Sequence, residues 1–226
     1  KENILKEIYK PRSKESHKYN FGNLLIIGGS ELYSGSPALC AFAALRAGVD
    51  LTMVIAPKRS ADIIASFSPN LISYALEGHD LGKHHLPEIF SLAERAKRVA
   101  KEKTACVIGG GAGRDEETKE TIIEYLSGLD IPAVIDADAI WAISAKKDIL
   151  KSKKFILTPH QHEFYDLSGI DIFGMKQKEK AEVVKKVAGE LETTILLKGN
   201  IDIISNGKKI FFNETGCPEM TVGGTG

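Results

Sequence analysis

The stretch Leu24-Leu25-Ile26-Ile27-Gly28-Gly29 decides the fold, because it joins a continuous apolar run to a turn that only small residues form easily. Consecutive apolar residues cannot alternate between core and solvent, so the run predicts a strand covered on both faces, as in parallel α/β sheets. The same pattern recurs along the chain, at residues 51–56, 105–108, 132–135, 155–157 and 194–197. These runs predict a mainly parallel central sheet.

Amphipathic segments between these runs predict helices on both faces of the sheet. Ser36, followed by proline, is the expected N-cap of one helix, and Gly48 is its expected end. Asp115 is the expected N-cap of a helix at residues 116–127, and residues 176–191 have helical spacing of apolar side chains. The predicted architecture is therefore a doubly wound α/β domain.

The pattern changes near the C-terminal end of the sequence. Residues 201–205 and 208–212 flank Asn206-Gly207, which predicts a hairpin on a type I′ turn. No internal repeat or linker interrupts the pattern, so residues 1–226 are expected to form a single domain.

Composition excludes several classes of protein. Thirty basic and thirty acidic residues give a formal net charge of zero at pH 7, which leaves no excess positive field for a polyanion. We therefore expect no nucleic-acid partner. No apolar stretch reaches the roughly 18 residues of a membrane span and no secretion signal opens the chain, so no membrane contact and a cytoplasmic location are expected. Three scattered cysteines predict neither a disulfide framework nor a zinc site.

Candidate site residues follow the predicted strands, where ligands bind in such sheets. The loop from Gly109 to Gly113 fits either a phosphate cradle or a tight turn without a ligand. If their strand continues, Asp136 and Asp138 point the same way and can hold Mg²⁺ through water. Alternatively, Asp138 caps the short helix that follows.

Two further strand ends carry polar side chains. Thr158-Pro159-His160 with Glu163 brings together an imidazole and a carboxylate, and the histidine fits a structural hydrogen-bonding role as well as a ligand contact. Lys198-Gly199 offers an ammonium group and open backbone to a nucleotide phosphate.

The last residues, Gly223-Gly224-Thr225-Gly226, form a turn with little side chain. Its backbone N–H groups can surround an anion, and a flexible tail is the alternative. The residues by themselves indicate an α/β enzyme that acts on a small molecule and handles phosphate.

Taken in order, these motifs resemble the NAD(P)H-hydrate dehydratase family, a branch of the ribokinase-like superfamily. The matching segments are residues 17–22, 25–30, 33–37, 43–48, 108–113, 135–139, 157–160, 163–164, 197–199, 213–216 and 223–226. The resemblance implies a ribokinase-like doubly wound fold. It also implies an enzyme, a hydro-lyase, that dehydrates hydrated NADH or NADPH with ADP or ATP and Mg²⁺ through a phosphorylated intermediate.

The resemblance also implies site residues. The hydrated dinucleotide would contact Ser36, Gly111 and His160. The nucleotide would be held by Lys198, Gly199, Asn200, Ile201, Asp202 and Gly226. The backbone of Gly223, Gly224, Thr225 and Gly226 would form an anion hole for the transferring phosphoryl group.

The sequence departs from the family pattern at several places. The family has Gly-Thr-Gly-Asp with the aspartate as proposed base, and this sequence stops at Gly226, so we expect a domain that lacks the catalytic aspartate and the C-terminal helices. Gly110 replaces a proline, Gln161-His162 replaces Pro-Gly, Trp141 replaces an asparagine, and Asp202 replaces a threonine.

Two other functions stay open at this point. One is a small-molecule kinase of the same superfamily, and the other is a non-catalytic nucleotide-binding module. The apolar helix at residues 37–47 is expected to be buried in the core or against a second subunit of a homo-oligomer.

Overall fold

The structure, a computed structural model, describes residues 2–9 and 11–224, which form one central sheet flanked by helices. The strands are β1 Asn23–Ile27, β2 Leu51–Pro57, β3 Ile72–Leu76, β4 Thr104–Ile108, β5 Ala133–Ile135, β6 Phe155–Leu157, β7 Thr194–Leu197, β8 Asp202–Ser205 and β9 Ile210–Asn213. The helices are α1 Glu2–Ile8, α2 Gly35–Arg46, α3 Lys58–Phe67, α4 Leu86–Ala100, α5 Glu116–Gly128, α6 Asp138–Ile143, α7 Gln161–Ser168 and α8 Gln177–Glu190.

The strand order is β3-β2-β1-β4-β5-β6-β7-β8-β9, so the chain winds outward from β1 in both directions. Strands β1 to β7 are parallel to one another, whereas β8 and β9 add an antiparallel hairpin next to β7. The predicted doubly wound α/β fold with a C-terminal hairpin is confirmed. The register aligns Ile108 with Ile27 and with Ile135, so the carboxyl ends of β1, β4 and β5 lie level.

Two apolar clusters cover the two faces of the sheet. Leu25 and Ile27 belong to a large cluster with α4 to α8, and the intervening Ile26 belongs to a smaller one with α2 and α3. This alternation explains why the strand is apolar throughout. No helix of the described residues is long and apolar enough to span a membrane.

Strand β3 and the start of α2 differ from expectation. The edge strand β3 was not predicted, because exposed and half-buried positions dilute its apolar pattern. Helix α2 begins at Gly35 with Ser34 at the N-cap, so the prediction of Ser36 as N-cap is wrong. Ser36 lies inside the first turn. The predicted stop at Gly48 is confirmed, since its φ is +100° and its N–H donates to the carbonyl of Leu45.

The Asp115 and Asp138 cap predictions have opposite outcomes. The Asp115 carboxylate accepts the N–H of Thr118 at 2.9 Å and caps α5, as predicted. Asp138 does not cap α6. Its carboxylate instead accepts from the N–H of Gly113 at 3.1 Å and the Nε of Arg114 at 2.9 Å.

The predicted type I′ turn of the hairpin is wrong. Gly207 has φ +82°, but Asn206 is not among the residues with positive φ, and both positions require it in that turn. The pairing of Ser205 with Ile210 leaves a four-residue loop. The Asn206 Oδ1 accepts the N–H groups of the next two lysines, each at 3.1 Å, so a side-chain turn replaces the tight backbone turn.

Helix α2 is buried along one side only. Pro37, Ala38 and Ala41 are buried, whereas Leu39 is 49% exposed. Burial of the whole helix in this chain's core is therefore wrong, and a second subunit over its exposed side stays a prediction.

Candidate active site

The carboxyl edge of the sheet is built from backbone that packs too closely for side chains. After β4, a Cβ on Gly109 would lie 2.0 Å from the carbonyl oxygen of Asp136, and its φ is +118°. The N–H of Gly29 donates to the carbonyl of Gly110 at 2.9 Å. The close approach at Gly109 requires glycine, and together these contacts join the ends of β1, β4 and β5.

Ser36 and the Gly110-Gly111 loop form one wall of this edge. A Cβ on Gly110 would lie 2.4 Å from the Ser36 hydroxyl, and Gly111 has φ +66°. A small cavity opens here, lined by Ser36, Cys40, Gly110 and Asp136 among others. Burial and the negative charge of Asp136 raise the pKa of the Cys40 thiol to about 11, so the thiol stays neutral and is a poor nucleophile.

Lys198 is the cation at the centre of the edge. Its backbone N–H donates to the carbonyl of Pro159 at 2.8 Å, which fixes it beside the end of β6. The Nζ lies 2.8 Å from Asp136 Oδ1, which also accepts from the hydroxyl of Thr158 at 2.8 Å. It lies 3.9 Å from Glu163 Oε2. Two carboxylates thus hold an ammonium group whose side chain is only 21% exposed.

His160 caps helix α7 with its ring. Its Nδ1 accepts the N–H groups of His162 at 3.1 Å and Glu163 at 3.2 Å. In return the buried Glu163 accepts the N–H of His160 at 2.8 Å. Because Nδ1 is an acceptor, the ring proton of the neutral imidazole lies on Nε2, and the side chain is 51% exposed. His160 therefore has the structural hydrogen-bonding role that the sequence left open. Its Nε2–H group remains available as a donor to a ligand.

The segment predicted to hold the nucleotide is a closed turn. Asp202 Oδ1 accepts the N–H of Gly199 at 3.1 Å, and its Oδ2 accepts from the side chain of Asn213 at 2.9 Å. The N–H of Ile201 donates to the side chain of Asn200 at 3.0 Å. The carboxylate that replaces the family threonine therefore organises this turn.

The predicted anion-hole residues are only partly described. Gly223 and Gly224 are exposed, and Gly224 has φ +90°. A Cβ on Gly224 would lie 2.6 Å from a methyl group of Leu39, so this turn lies against α2. Thr225 and Gly226 lie outside the described residues, and the anion hole stays a prediction.

The two aspartates do not form a metal pair. A common direction of Asp136 and Asp138 was expected only if their strand continued, and β5 ends at Ile135; Asp136 binds Lys198, whereas Asp138 binds Arg114. Within residues 2–9 and 11–224, no group of three His, Cys, Asp or Glu side chains could hold a metal ion.

Sequence reasoning underestimated two residues. Glu163 matters as the buried acid between His160 and Lys198, and its position three residues after the N-cap is the spacing of a capping box. Trp141 lies beneath the Arg114 guanidinium at 5.9 Å and the Lys119 ammonium at 5.1 Å, so the residue that replaces the family asparagine has cation–π partners.

Comparison with known proteins tests the family resemblance that the motifs indicate. The NAD(P)H-hydrate dehydratase family profile matches residues 24–226. The chain belongs to this family. The ADP-dependent (S)-NAD(P)H-hydrate dehydratase of Nitrosopumilus maritimus is 33% identical over 223 residues, which cover 99% of this chain and 75% of that protein. The resemblance drawn from the motifs is confirmed.

One further relative is much longer than this chain, and a solved structure shows the fold that the two proteins share. The bifunctional NAD(P)H-hydrate repair enzyme Nnr of Methanothermobacter thermautotrophicus is 42% identical over 95% of this chain, which spans only 41% of that protein. The ADP/ATP-dependent NAD(P)H-hydrate dehydratase of Bacillus subtilis, co-crystallised with ATP and Mg²⁺, superposes with a TM-score of 0.77 at 25% identity, covering 99% of this chain and 75% of that one. A ribokinase-like superfamily protein of Enterococcus faecalis superposes with a TM-score of 0.80 at 25% identity, covering 99% of this chain and 74% of that one, so this chain has a ribokinase-like fold.

Proposed function

We propose that this protein dehydrates hydrated NADH or NADPH at the expense of ADP or ATP, as a hydro-lyase of nicotinamide nucleotide repair. The observation that carries the proposal is the contact chain at the sheet edge. Lys198 is 2.8 Å from Asp136 and 3.9 Å from Glu163, and Glu163 in turn binds the backbone of His160. Lys198, the proposed phosphate-binding cation, and His160, the proposed donor to the substrate, are therefore neighbours.

The chemistry proceeds in two steps. The hydroxyl oxygen of the hydrated ring attacks the terminal phosphorus of the nucleotide and gives up its proton to a base, the role that the family pattern gives to the aspartate after Gly-Thr-Gly. The bond from that phosphorus to the leaving nucleotide oxygen breaks. The ring C–O bond then breaks and inorganic phosphate leaves, while the ring loses a proton and regains its double bond. ADP yields AMP, and ATP yields ADP.

The residues of this chain bind and orient the reactants. Lys198 is the proposed partner of the nucleotide phosphates, where a fixed cation stabilises charge on the transferring group. Ser36 and Gly111 are the proposed crevice for the dinucleotide, and the His160 Nε2–H is the proposed donor to one of its polar groups. The backbone of residues 223–226 is the proposed anion hole.

Mg²⁺ is proposed to enter with the nucleotide. The described residues do not fit a resident metal, because Asp136 is occupied by Lys198 and Thr158, and Asp138 by Gly113 and Arg114. Magnesium is commonly held by nucleotide phosphates and water with few protein ligands. The ion would neutralise phosphate charge there.

The test uses the full-length protein with hydrated NADH or NADPH, Mg²⁺, and either ADP or ATP. We expect the absorbance of reduced nicotinamide to return, with release of inorganic phosphate. A stable phosphorylated product without phosphate release would indicate a small-molecule kinase instead. Nucleotide binding without recovery of absorbance would indicate a non-catalytic module. Either result would reject the proposal.

A further inference from the structure

Glu163 is the acid that stands between the two proposed subsites. It is 4% exposed, and a buried carboxylate is stable only when its oxygens have partners. Oε2 accepts the N–H of His160 at 2.8 Å and lies 3.9 Å from Lys198 Nζ. Oε1 lies 3.4 Å from His160 Nε2.

These contacts determine which way the imidazole presents its proton. The Nδ1 of His160 accepts two backbone N–H groups, so the neutral ring carries its proton on Nε2. The negative charge of Glu163 Oε1, 3.4 Å from Nε2, favours the same tautomer without a hydrogen bond to it, so the Nε2–H stays open to a ligand. The helix cap and the carboxylate therefore both favour the tautomer of His160 that carries its proton on Nε2.

The same carboxylate has the opposite effect on the nucleotide side. Its negative charge lies 3.9 Å from the Lys198 ammonium and competes with an incoming phosphate for that cation. It also repels the phosphate directly.

We infer that Glu163 is a positioning residue that orients His160 for the hydrated dinucleotide while it weakens nucleotide binding at Lys198. The inference rests on the proposed function for the identity of the two ligands. Its signature is a pair of effects with opposite signs, which loss of folding cannot produce.

The test is Glu163→Gln. The amide oxygen can still accept the N–H of His160, which leaves the NH₂ group beside Nε2–H, so two donors face each other. We expect affinity for hydrated NADPH to fall about tenfold, because the amide no longer favours the tautomer whose Nε2–H donates to the ligand. Affinity for ADP should rise about threefold, because one nearby negative charge is gone.

A ligand-free measurement tests the orientation directly. Nitrogen-15 NMR of the imidazoles, with His160 assigned from its own variant, should show the Nε2–H tautomer in the wild type and a mixture in Glu163→Gln. This result does not depend on the proposed function. Absence of hydrated-dinucleotide binding in the wild type would reject the substrate part and the proposed function together, even if the tautomer shifts as expected.

The matched control is Glu179→Gln. Glu179 accepts the N–H of Lys176 at 3.0 Å and closes the same kind of capping box on α8, a helix that carries none of the proposed site residues. Both ligand affinities should stay unchanged in this variant. Equal losses for both ligands in Glu163→Gln, an unshifted tautomer, or the same effects in the control would overturn the inference. Should Glu163→Gln melt early, Glu163→Asp keeps the charge and should weaken only the dinucleotide.

Discussion

His160 makes contacts of two different kinds, and substitutions can separate them. The ring nitrogen Nδ1 stabilises the first turn of α7, whereas Nε2 is left for a ligand on a half-exposed side chain. Serine is a good N-cap but has no donor at the position of Nε2. A pair of variants therefore distinguishes a structural histidine from a substrate-binding one.

We expect His160→Ala to weaken binding of the hydrated dinucleotide by about 1–3 kcal/mol and to lower thermal stability as well. His160→Ser should keep most of the stability and still lose the affinity. Affinity for ADP alone should change little in both, because the nucleotide is assigned to Lys198. Paired titrations and melting curves measure this. Recovery of dinucleotide affinity by the serine would assign His160 to the fold alone.

Asp202 gives a second prediction at the residue scale. Its carboxylate lies in the proposed nucleotide segment and accepts the N–H of Gly199. Asp202→Asn keeps an oxygen for that bond and removes one negative charge, so ADP should bind about threefold more tightly at low salt, and the gain should shrink as salt is added.

The control for Asp202 is Asp171→Asn. Asp171 accepts the N–H of Phe173 at 2.8 Å in a comparable turn that the site does not use. Calorimetry on both variants separates a local charge effect from a change in net charge. Weaker ADP binding in Asp202→Asn would show that the carboxylate supports the nucleotide segment instead of opposing the ligand.

At the scale of single elements, the cap of α5 makes stability depend on pH. Burial raises the pKa of Asp115, but hydrogen bonds from the backbone and hydroxyl of Thr118 outweigh it, and the pKa is lowered from its ordinary 3.8. A lowered pKa means that the charged cap stabilises the fold above the unfolded-state value. That stability is lost as the pH falls through the lower folded-state value.

Asp115→Ala should therefore cost about 1 kcal/mol of unfolding free energy at neutral pH. The difference from wild type should shrink once the pH drops below the ordinary aspartate range. Urea denaturation of both proteins at neutral and acidic pH measures it. A difference that is independent of pH would mean that the cap acts without its charge.

Alanine substitutions at glycines in turns can separate the cost of a strained backbone from the cost of a steric clash. Gly207 has φ +82°, and a Cβ there would lie 2.5 Å from the Cα of Gly189 in α8. Gly174 has φ +75° with open space around it, and Gly216 has neither constraint. We expect the loss of thermal stability on substitution by alanine to decrease in the order Gly207, Gly174, Gly216. Equal losses at Gly207 and Gly174 would show that the hairpin loop moves away from α8.

The elements differ in how well they could be predicted. Continuous apolar runs identified strands because both faces of the sheet are covered, whereas β3, at the edge, has no such run. The N-cap prediction for Asp138 was wrong because a partner distant in sequence competes. The Asp138 carboxylate binds Arg114 instead of the backbone N–H groups of its own helix. The spacing of His160 and Glu163 is local and could have been used, but Lys198 and Asp136 are 62 residues apart and meet only through the strand order.

At the scale of the whole molecule, the two faces of the sheet have unequal cores. The cluster beneath α2 and α3 is small and rich in alanine, with Ala38, Ala41 and Ala61 among its buried side chains. The opposite cluster contains large buried side chains such as Tyr125 and Phe164. Less apolar area is therefore removed from water on the α2–α3 face, and its local stability should be lower.

We expect native-state hydrogen exchange to show α2 and α3 opening at a lower free energy than α5. Ile64→Val should increase exchange mainly in α2 and α3, because Ile64 belongs to the small cluster. Ile122→Val, in the large cluster, should lower the free energy of global unfolding and affect all segments. Since Ser36 lies in α2, opening of this layer should dismantle the proposed dinucleotide crevice, while Asp136 after β5 and Lys198 after β7 keep their ion pair. Identical opening free energies in all three helices would instead mean that the domain unfolds as one cooperative unit.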